Sequence, residues 1–215
     1  MGLKLPSIIF ITGTDGAGKS FLSGWLVDRL CDQGIKAIHV WTRFNNLLSK
    51  PFLAFTRLTR HNHYKLIDGT RFGFHNFENL GPLRYLFLSL QCADVNIAAY
   101  RDITLVKKQC DVIVCERGPW DTLADVMADT GLSISPASRL GRLFTAQVAS
   151  DAMVLFIKRS KNNILSTRPE LVHDYKMDKK ISIYQQLAKS GNWQVIDNNG
   201  RIEETKITIS NLLNI

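Results

Sequence analysis

Residues 13–20, Gly-Thr-Asp-Gly-Ala-Gly-Lys-Ser, constrain this chain more than any other stretch, because they match G-x-x-x-x-G-K-[ST] in full. A short, continuously apolar and β-branched run, residues 7–11 (SIIFI), precedes them. After them Phe21, Leu22, Trp25, Leu26 and Leu30 recur at helical spacing over residues 19–33, and Gly34 supplies a stop. A buried strand that turns through glycines into a helix is the setting in which the motif carries chemistry. The glycines let successive backbone N–H groups turn inward around phosphate oxygens, and the helix N-terminus adds its partial positive charge. The expectation is a triphosphate site formed by Gly13, Asp15, Gly16, Ala17, Gly18, Lys19, Ser20 and Phe21. Lys19 would reach the β- and γ-phosphates, and the Ser20 hydroxyl would ligate Mg²⁺.

The rest of the chain repeats the strand–helix pattern. Further apolar runs stand at residues 35–41, 111–115 (DVIVC), 153–157 (MVLFI) and 193–196 (WQVI). Helical patterns fall at residues 45–58 (with Pro51 as a kink or break), 82–108, 120–129, 136–150, 175–190 and 202–213. Short apolar strands separated by helices require right-handed crossovers and a parallel sheet covered on both faces. No linker, repeat or low-complexity tract interrupts residues 1–215, so one domain is expected. Residues 60–81, rich in His, Asn, Gly and aromatics, show no clean period and read as a long irregular connection. With Arg71, Phe72, Phe74 and Phe77 this segment either closes over an acceptor or packs its own aromatics at the surface. His61, His63 and His75 lie in it without the further ligands that a metal site needs.

A bound phosphate chain needs a second handle on its metal, and Glu116, at the end of the third strand, meets that need. Arg117 follows and is placed to clamp a phosphate bidentately. Arg43, just after the second strand, faces the same crevice end or sits at the surface. Arg168 is either an arginine over the transferring group or a helix-end charge, and Gln91 either reads an acceptor or is a satisfied core amide.

The formal net charge of +8 either fits polyanionic partners such as nucleotides, nucleic acid or an acidic membrane surface, or serves surface solubility alone. No aromatic-studded strand or basic helix points to nucleic acid, and no run reaches the roughly 18 apolar residues of a membrane span. The four cysteines form no C-x-x-C pair or metal spacing, and residues 1–11 lack signal-peptide flanks; a reduced, cytoplasmic protein is expected.

With these residues placed, the chain resembles the thymidylate kinase family of P-loop nucleoside monophosphate kinases. The run Thr14 to Ser20 looks like that family's loop, whose acidic residue, here Asp15, contacts the acceptor sugar hydroxyl. Thr42-Arg43 is similar to the family's T-R pair, whose arginine holds the acceptor phosphate, and Glu116-Arg117 stands where the family has acidic-Arg-Tyr. Ser150-Asp151 and Val195-Ile196-Asp197 also resemble family landmarks. The departures are Gly118 in place of the tyrosine, and Gln91 and Val95 where the family has a base-stacking Phe and an Arg. Around Gln91 the sequence is also reminiscent of deoxynucleoside kinases, whose helix glutamine pairs with a base.

The resemblance implies a three-layer, doubly wound P-loop kinase fold with a five-stranded parallel sheet of order 2-3-1-4-5 and a mobile lid at about residues 158–174, carrying Lys158, Arg159, Lys161 and Arg168. It implies ATP and Mg²⁺ as cofactors and transfer of the γ-phosphoryl group to a nucleoside monophosphate, with dTMP to dTDP leading. Asp15, Arg43, Gln91 and Arg117 would face the acceptor; Lys19, Arg117 and Arg168 would stabilise the transferring group; Ser20 and Glu116 would hold the metal. The alternatives are a kinase for a nucleoside or other metabolite, or a nucleotide-dependent switch protein. No N-K-x-D element supports GTP. The family commonly dimerises through helices; the long apolar stretch at residues 82–108 either serves a homodimer or is buried within one chain.

Overall fold

The computed structural model describes residues 5–42, 46–67 and 69–215, with the backbone alone for residues 70–72. The strands are β1 (Ile8–Thr12), β2 (Ala37–Trp41), β3 (Asn62–Ile67), β4 (Thr70–His75), β5 (Val112–Glu116), β6 (Met153–Lys158) and β7 (Gln194–Asp197). The helices are α1 (Lys19–Asp32), α2 (Lys50–Leu58), α3 (Leu83–Ala99) and α4 (Pro119–Thr130), then α5 (Arg139–Phe144), α6 (Lys161–Thr167), α7 (Met177–Gly191) and α8 (Ile202–Leu213).

One parallel sheet runs β2-β5-β1-β6-β7, and β3 and β4 form a separate antiparallel hairpin. With the hairpin strands left out of the count, the five sheet strands in chain order run 2-3-1-4-5. Successive side chains of a strand point to opposite faces, and here that period divides the core in two. Ile8, Phe10, Ile113, Cys115, Val154 and Phe156 face the α3, α4 and α7 side, with Phe87, Leu123 and Leu187. Ile9, Ile11, Val112, Val114, Leu155 and Ile157 face the other layer, with Leu22, Leu26 and Ile209 of α1 and α8. Both faces are therefore covered, which is why these strands read as unbroken apolar runs. The parallel strands also place the ends of β1, β2 and β5 together at one crevice, where the polar residues collect.

Several expectations need correction. The irregular connection expected at residues 60–81 contains the β3–β4 hairpin, paired from Asn62↔His75 to Ile67↔Thr70. Gly69, at φ +76°, closes its two-residue turn. The helix expected at residues 45–58 starts at Lys50, with Pro51 in its first turn, where a missing N–H costs nothing. The long helix expected to residue 108 is α-helical only to Ala99 and continues as a π-helical turn, Tyr100–Thr104. Of residues 136–150 only Arg139–Phe144 are α-helical, beginning where Ser138 Oγ accepts from Gly141 N at 3.1 Å. The basic segment after β6 is itself partly helical: Ser160 caps α6, and a 3₁₀ turn, Pro169–His173, follows.

Candidate active site

The loop between β1 and α1 is shaped by positions that exclude a side chain. Gly13 has φ +146°, and a Cβ there would lie 2.7 Å from the Ile157 carbonyl oxygen. At Gly18, φ +97°, a Cβ would meet Asn198 Nδ2 at 2.8 Å, and that amide instead donates to the Ala17 carbonyl at 2.8 Å. Lys19 is buried, and its ammonium donates to the carbonyls of Gly13 (2.8 Å) and Thr14 (2.7 Å). Burial pushes its pKa down to about 8, and Arg117 adds to this against the pull of Asp15, Asp121 and Glu116. Ser20 Oγ donates to Glu116 Oε1 at 2.6 Å, so the loop and the end of β5 meet at one point. Phe21 is half exposed beside them, with the Lys206 ammonium 5.1 Å from its ring centroid.

Arg117 begins the β5–α4 turn in a left-handed conformation, φ +71°, unusual for a residue with a side chain. Three neighbours hold that backbone. Its N–H donates to Ile11 O (2.9 Å), its carbonyl accepts from Thr42 Oγ1 (2.8 Å), and the next N–H, of Gly118, donates to Asp121 Oδ2 (2.8 Å). Its guanidinium donates to Asp15 Oδ1 across the crevice. Burial alone would raise the Asp15 carboxyl, but Arg117 and then Lys19 hold it well below the usual carboxylate range. Gly118 packs against Phe10, and a Cβ there would lie 2.7 Å from Phe10 Cδ1.

Two hollows meet at this point. One of about 290 Å³ lies over the loop, bounded by Gly16, Lys19, Ser20, Arg159 and Arg168. A cleft of about 750 Å³ extends from Asp15, Ser20, Glu116 and Arg117 to the hairpin at Tyr64, Gly73, Phe74 and His75. Arg168 borders both, its Nε donating to Glu170 at 2.8 Å. Arg159 Nη1 donates to Gly16 O at 3.0 Å, tying the segment after β6 to the loop.

Among the expected acceptor residues, Asp15 and Arg117 come together and Gln91 does not join them. Gln91 is buried and its amide donates to Asn46 Oδ1 (2.9 Å) and Ser49 Oγ (2.8 Å). It borders a smaller cavity of about 30 Å³ with Thr42, Asp94 and Thr122, and Asn46 lines both this cavity and the large cleft. Asp94, three residues on, accepts from Leu48 N, Ser49 N and Ser49 Oγ at 2.7, 3.0 and 2.6 Å. The two side chains thus secure the turn before α2. Arg43 lies outside the described residues.

Asp125, Asp129, Lys176 and Lys180 of the large cleft belong to a ladder that sequence reading missed. Asp121, Asp125 and Asp129 recur every four residues along α4, and Lys176, Lys180 and Tyr184 do the same at the start of and along α7. They pair in antiparallel order: Asp121 with Tyr184 OH (2.8 Å), Asp125 with Lys180 (3.3 Å), Asp129 with Lys176 (2.7 Å). Burial pushes the Asp125 carboxyl up despite Lys180. Burial would raise Asp129 as well, but the hydrogen bond from His75 and the charge of Lys176 hold it down. His75 Nδ1 lies 2.8 Å from Asp129 Oδ2, and Lys176 and Tyr175 both donate to the His75 carbonyl, so the hairpin is fastened to the ladder's far end. The i, i+4 spacing was the available signal.

The glycine loop at the end of β1, the strand order and the crevice at the sheet's carboxyl edge belong to an α/β protein with a five-stranded parallel sheet, an arrangement consistent with a P-loop kinase fold. No family model and no curated protein matches the chain. Solved structures do match; one is thymidylate kinase from Ehrlichia chaffeensis, 14% identical, covering 98% of this chain and 99% of that one at a TM-score of 0.56. That likeness is one of fold. Among the described residues no helix is long and apolar enough to cross a membrane.

Proposed function

We propose that this protein is an ATP-dependent phosphotransferase of the nucleotide-kinase type. The reading is carried by the approach of Ser20 Oγ to Glu116 Oε1, 2.6 Å, at the mouth of a glycine loop with Lys19 behind it. Two hard oxygens at the phosphate end suit Mg²⁺, which keeps most of its shell as water and phosphate oxygens and needs few protein ligands. Among the described residues no cluster of three or more His, Cys, Asp or Glu offers an all-protein metal cage, in keeping with that mode. The metal, when bound, would neutralise charge on the phosphates. Lys19 and Arg117 would bind and orient the transferring group, with Arg168 entering from the lid segment. Lid and hairpin would exclude water from the transfer.

The 750 Å³ cleft is the proposed acceptor site, and its size suits a nucleotide. A nucleoside monophosphate, dTMP first, is the acceptor that the sequence resemblance supports. A second reading, a nucleoside or other neutral hydroxyl acceptor, is favoured by the cleft's charges. Its described cations are each held by a carboxylate: Arg117 by Asp15, Lys176 by Asp129, Lys180 by Asp125 and Asp174, Arg168 by Glu170. A coupled assay over nucleoside monophosphates and nucleosides separates the two. ADP release above the ATP-only rate with monophosphates supports the first reading, and with nucleosides alone the second. No acceptor response from either set argues for a nucleotide switch instead.

A further inference from the structure

Arg117 meets the crevice through a side chain whose direction is set from beneath. Asp121 is buried at the first turn of α4 and uses its two oxygens for different tasks. Oδ2 accepts from Thr12 Oγ1 (2.8 Å), just before the glycine loop, and from the Gly118 N–H (2.8 Å), just after Arg117. Oδ1 accepts from the Tyr184 hydroxyl at 2.8 Å and lies 3.9 Å from Arg117 Nη1. The guanidinium therefore sits between two carboxylates, hydrogen-bonded to Asp15 on the crevice side and ion-paired with Asp121 on the other at 3.9 Å, beyond hydrogen-bond reach.

We infer that Tyr184, through Asp121, is the positioning residue that keeps the Arg117 guanidinium turned into the crevice. The hydroxyl fills one acceptor site on Oδ1, the Asp121 oxygen nearer to Arg117, and so weakens that oxygen's pull on the guanidinium. An unsatisfied buried carboxylate oxygen attracts the nearest cation, and here that cation is Arg117. Tyr184 is fully packed, its ring stacked on Phe156 at 5.8 Å, so the hydroxyl has little freedom to leave. Because α7 follows the lid segment, one hydroxyl links that part of the chain to the transfer site and to the entry of the phosphate loop. The assignment rests on the phosphotransferase reading only for its effect on rate; the geometry stands without it.

The test is Tyr184→Phe, which keeps the ring and removes the hydroxyl. Two-dimensional NMR of the arginine Nε–H groups, with the Arg117 signal assigned from Arg117→Lys, reads the guanidinium directly and needs no acceptor. The expected result is a displaced Arg117 signal with the remaining arginine signals unmoved. In the kinase assay, kcat is expected to fall on the order of tenfold with ATP affinity unchanged, and Tyr184→Phe placed on Arg117→Lys should cause no further loss. A general structural role would lower kcat equally in both backgrounds, and that outcome overturns the inference. An unmoved Arg117 signal overturns it as well. A wild-type protein that transfers no phosphoryl group, yet shows the displaced signal in the variant, counts against the phosphotransferase reading and for the positioning.

Discussion

Ser20 and Glu116, 96 positions apart in the chain, are joined by a 2.6 Å hydrogen bond from hydroxyl to carboxylate. The contact follows from topology: β1 pairs with β5, Ile11 opposite Glu116, so the loop leaving β1 must pass the end of β5. If these oxygens hold the metal, Glu116→Gln should weaken the apparent Mg²⁺ affinity about 10- to 100-fold, with ATP binding measured in excess EDTA unaffected. Unchanged Mg²⁺ dependence would take Glu116 out of the metal site.

Lys19 gives a prediction in pH. Its ammonium, lowered to about 8 chiefly by burial and then by Arg117, is largely neutral at pH 9 in the free protein. A bound triphosphate restores the charged form, so binding at pH 9 should take up about one proton and binding at pH 7 almost none. Calorimetry in two buffers of different ionisation enthalpy measures this, and Lys19→Met should abolish the uptake. For stability the sign is that of a depressed base. The group costs stability below about pH 8, and that cost is relieved as pH rises from there toward the unfolded value.

Gly118 stands where the resembled family carries a tyrosine, and packing explains the glycine. A Cβ would lie 2.7 Å from Phe10 Cδ1, and Phe10 is fully buried, edge-on to Trp120 at 5.1 Å. Gly118→Ala should therefore lose about 1–3 kcal/mol through overpacking, read as a lower denaturant midpoint at constant m-value. A wild-type midpoint would mean that Phe10 yields freely.

Gln91 and Asp94 are predicted to matter for folding more than for acceptor recognition. Asp94→Ala strands three donors from Leu48 and Ser49 and should cost about 3 kcal/mol. Gln91→Leu should cost about 1 kcal/mol and leave the acceptor KM unchanged. A tenfold rise in that KM at unaltered stability would return Gln91 to the acceptor site.

What the sequence disclosed and what it withheld have physical causes. The loop at residues 13–20 and the sheet strands were legible because each is a short covalent pattern with one mechanical meaning: glycines where no Cβ fits, apolar runs where both faces are covered. The hairpin was missed because its apolar alternation is only two residues long on each side, Tyr64 and Leu66 then Phe72 and Phe74, among His, Lys, Arg and Gly, and Tyr64 and Leu66 are exposed rather than core. Its signal was the Asp68-Gly69 pair, a turn former flanked by residues of β-propensity. Gln91 read equally well as a base reader or a core amide, because a glutamine's role depends on the partners the fold brings, and Asn46 and Ser49 lie 45 and 42 positions away. The ladder from Asp121 to Lys176 was half legible, as two four-residue rhythms whose pairing only the packing of α4 on α7 reveals.

The most direct test of the phosphotransferase reading is transfer of label from γ-³²P-ATP to a pool of nucleoside monophosphates and nucleosides, comparing wild type with Lys19→Ala. The account predicts a labelled product from the wild type and a loss of several orders of magnitude in the variant, on the scale of removing a principal charge from the transferring group. Product formed by Lys19→Ala at the wild-type rate would contradict it.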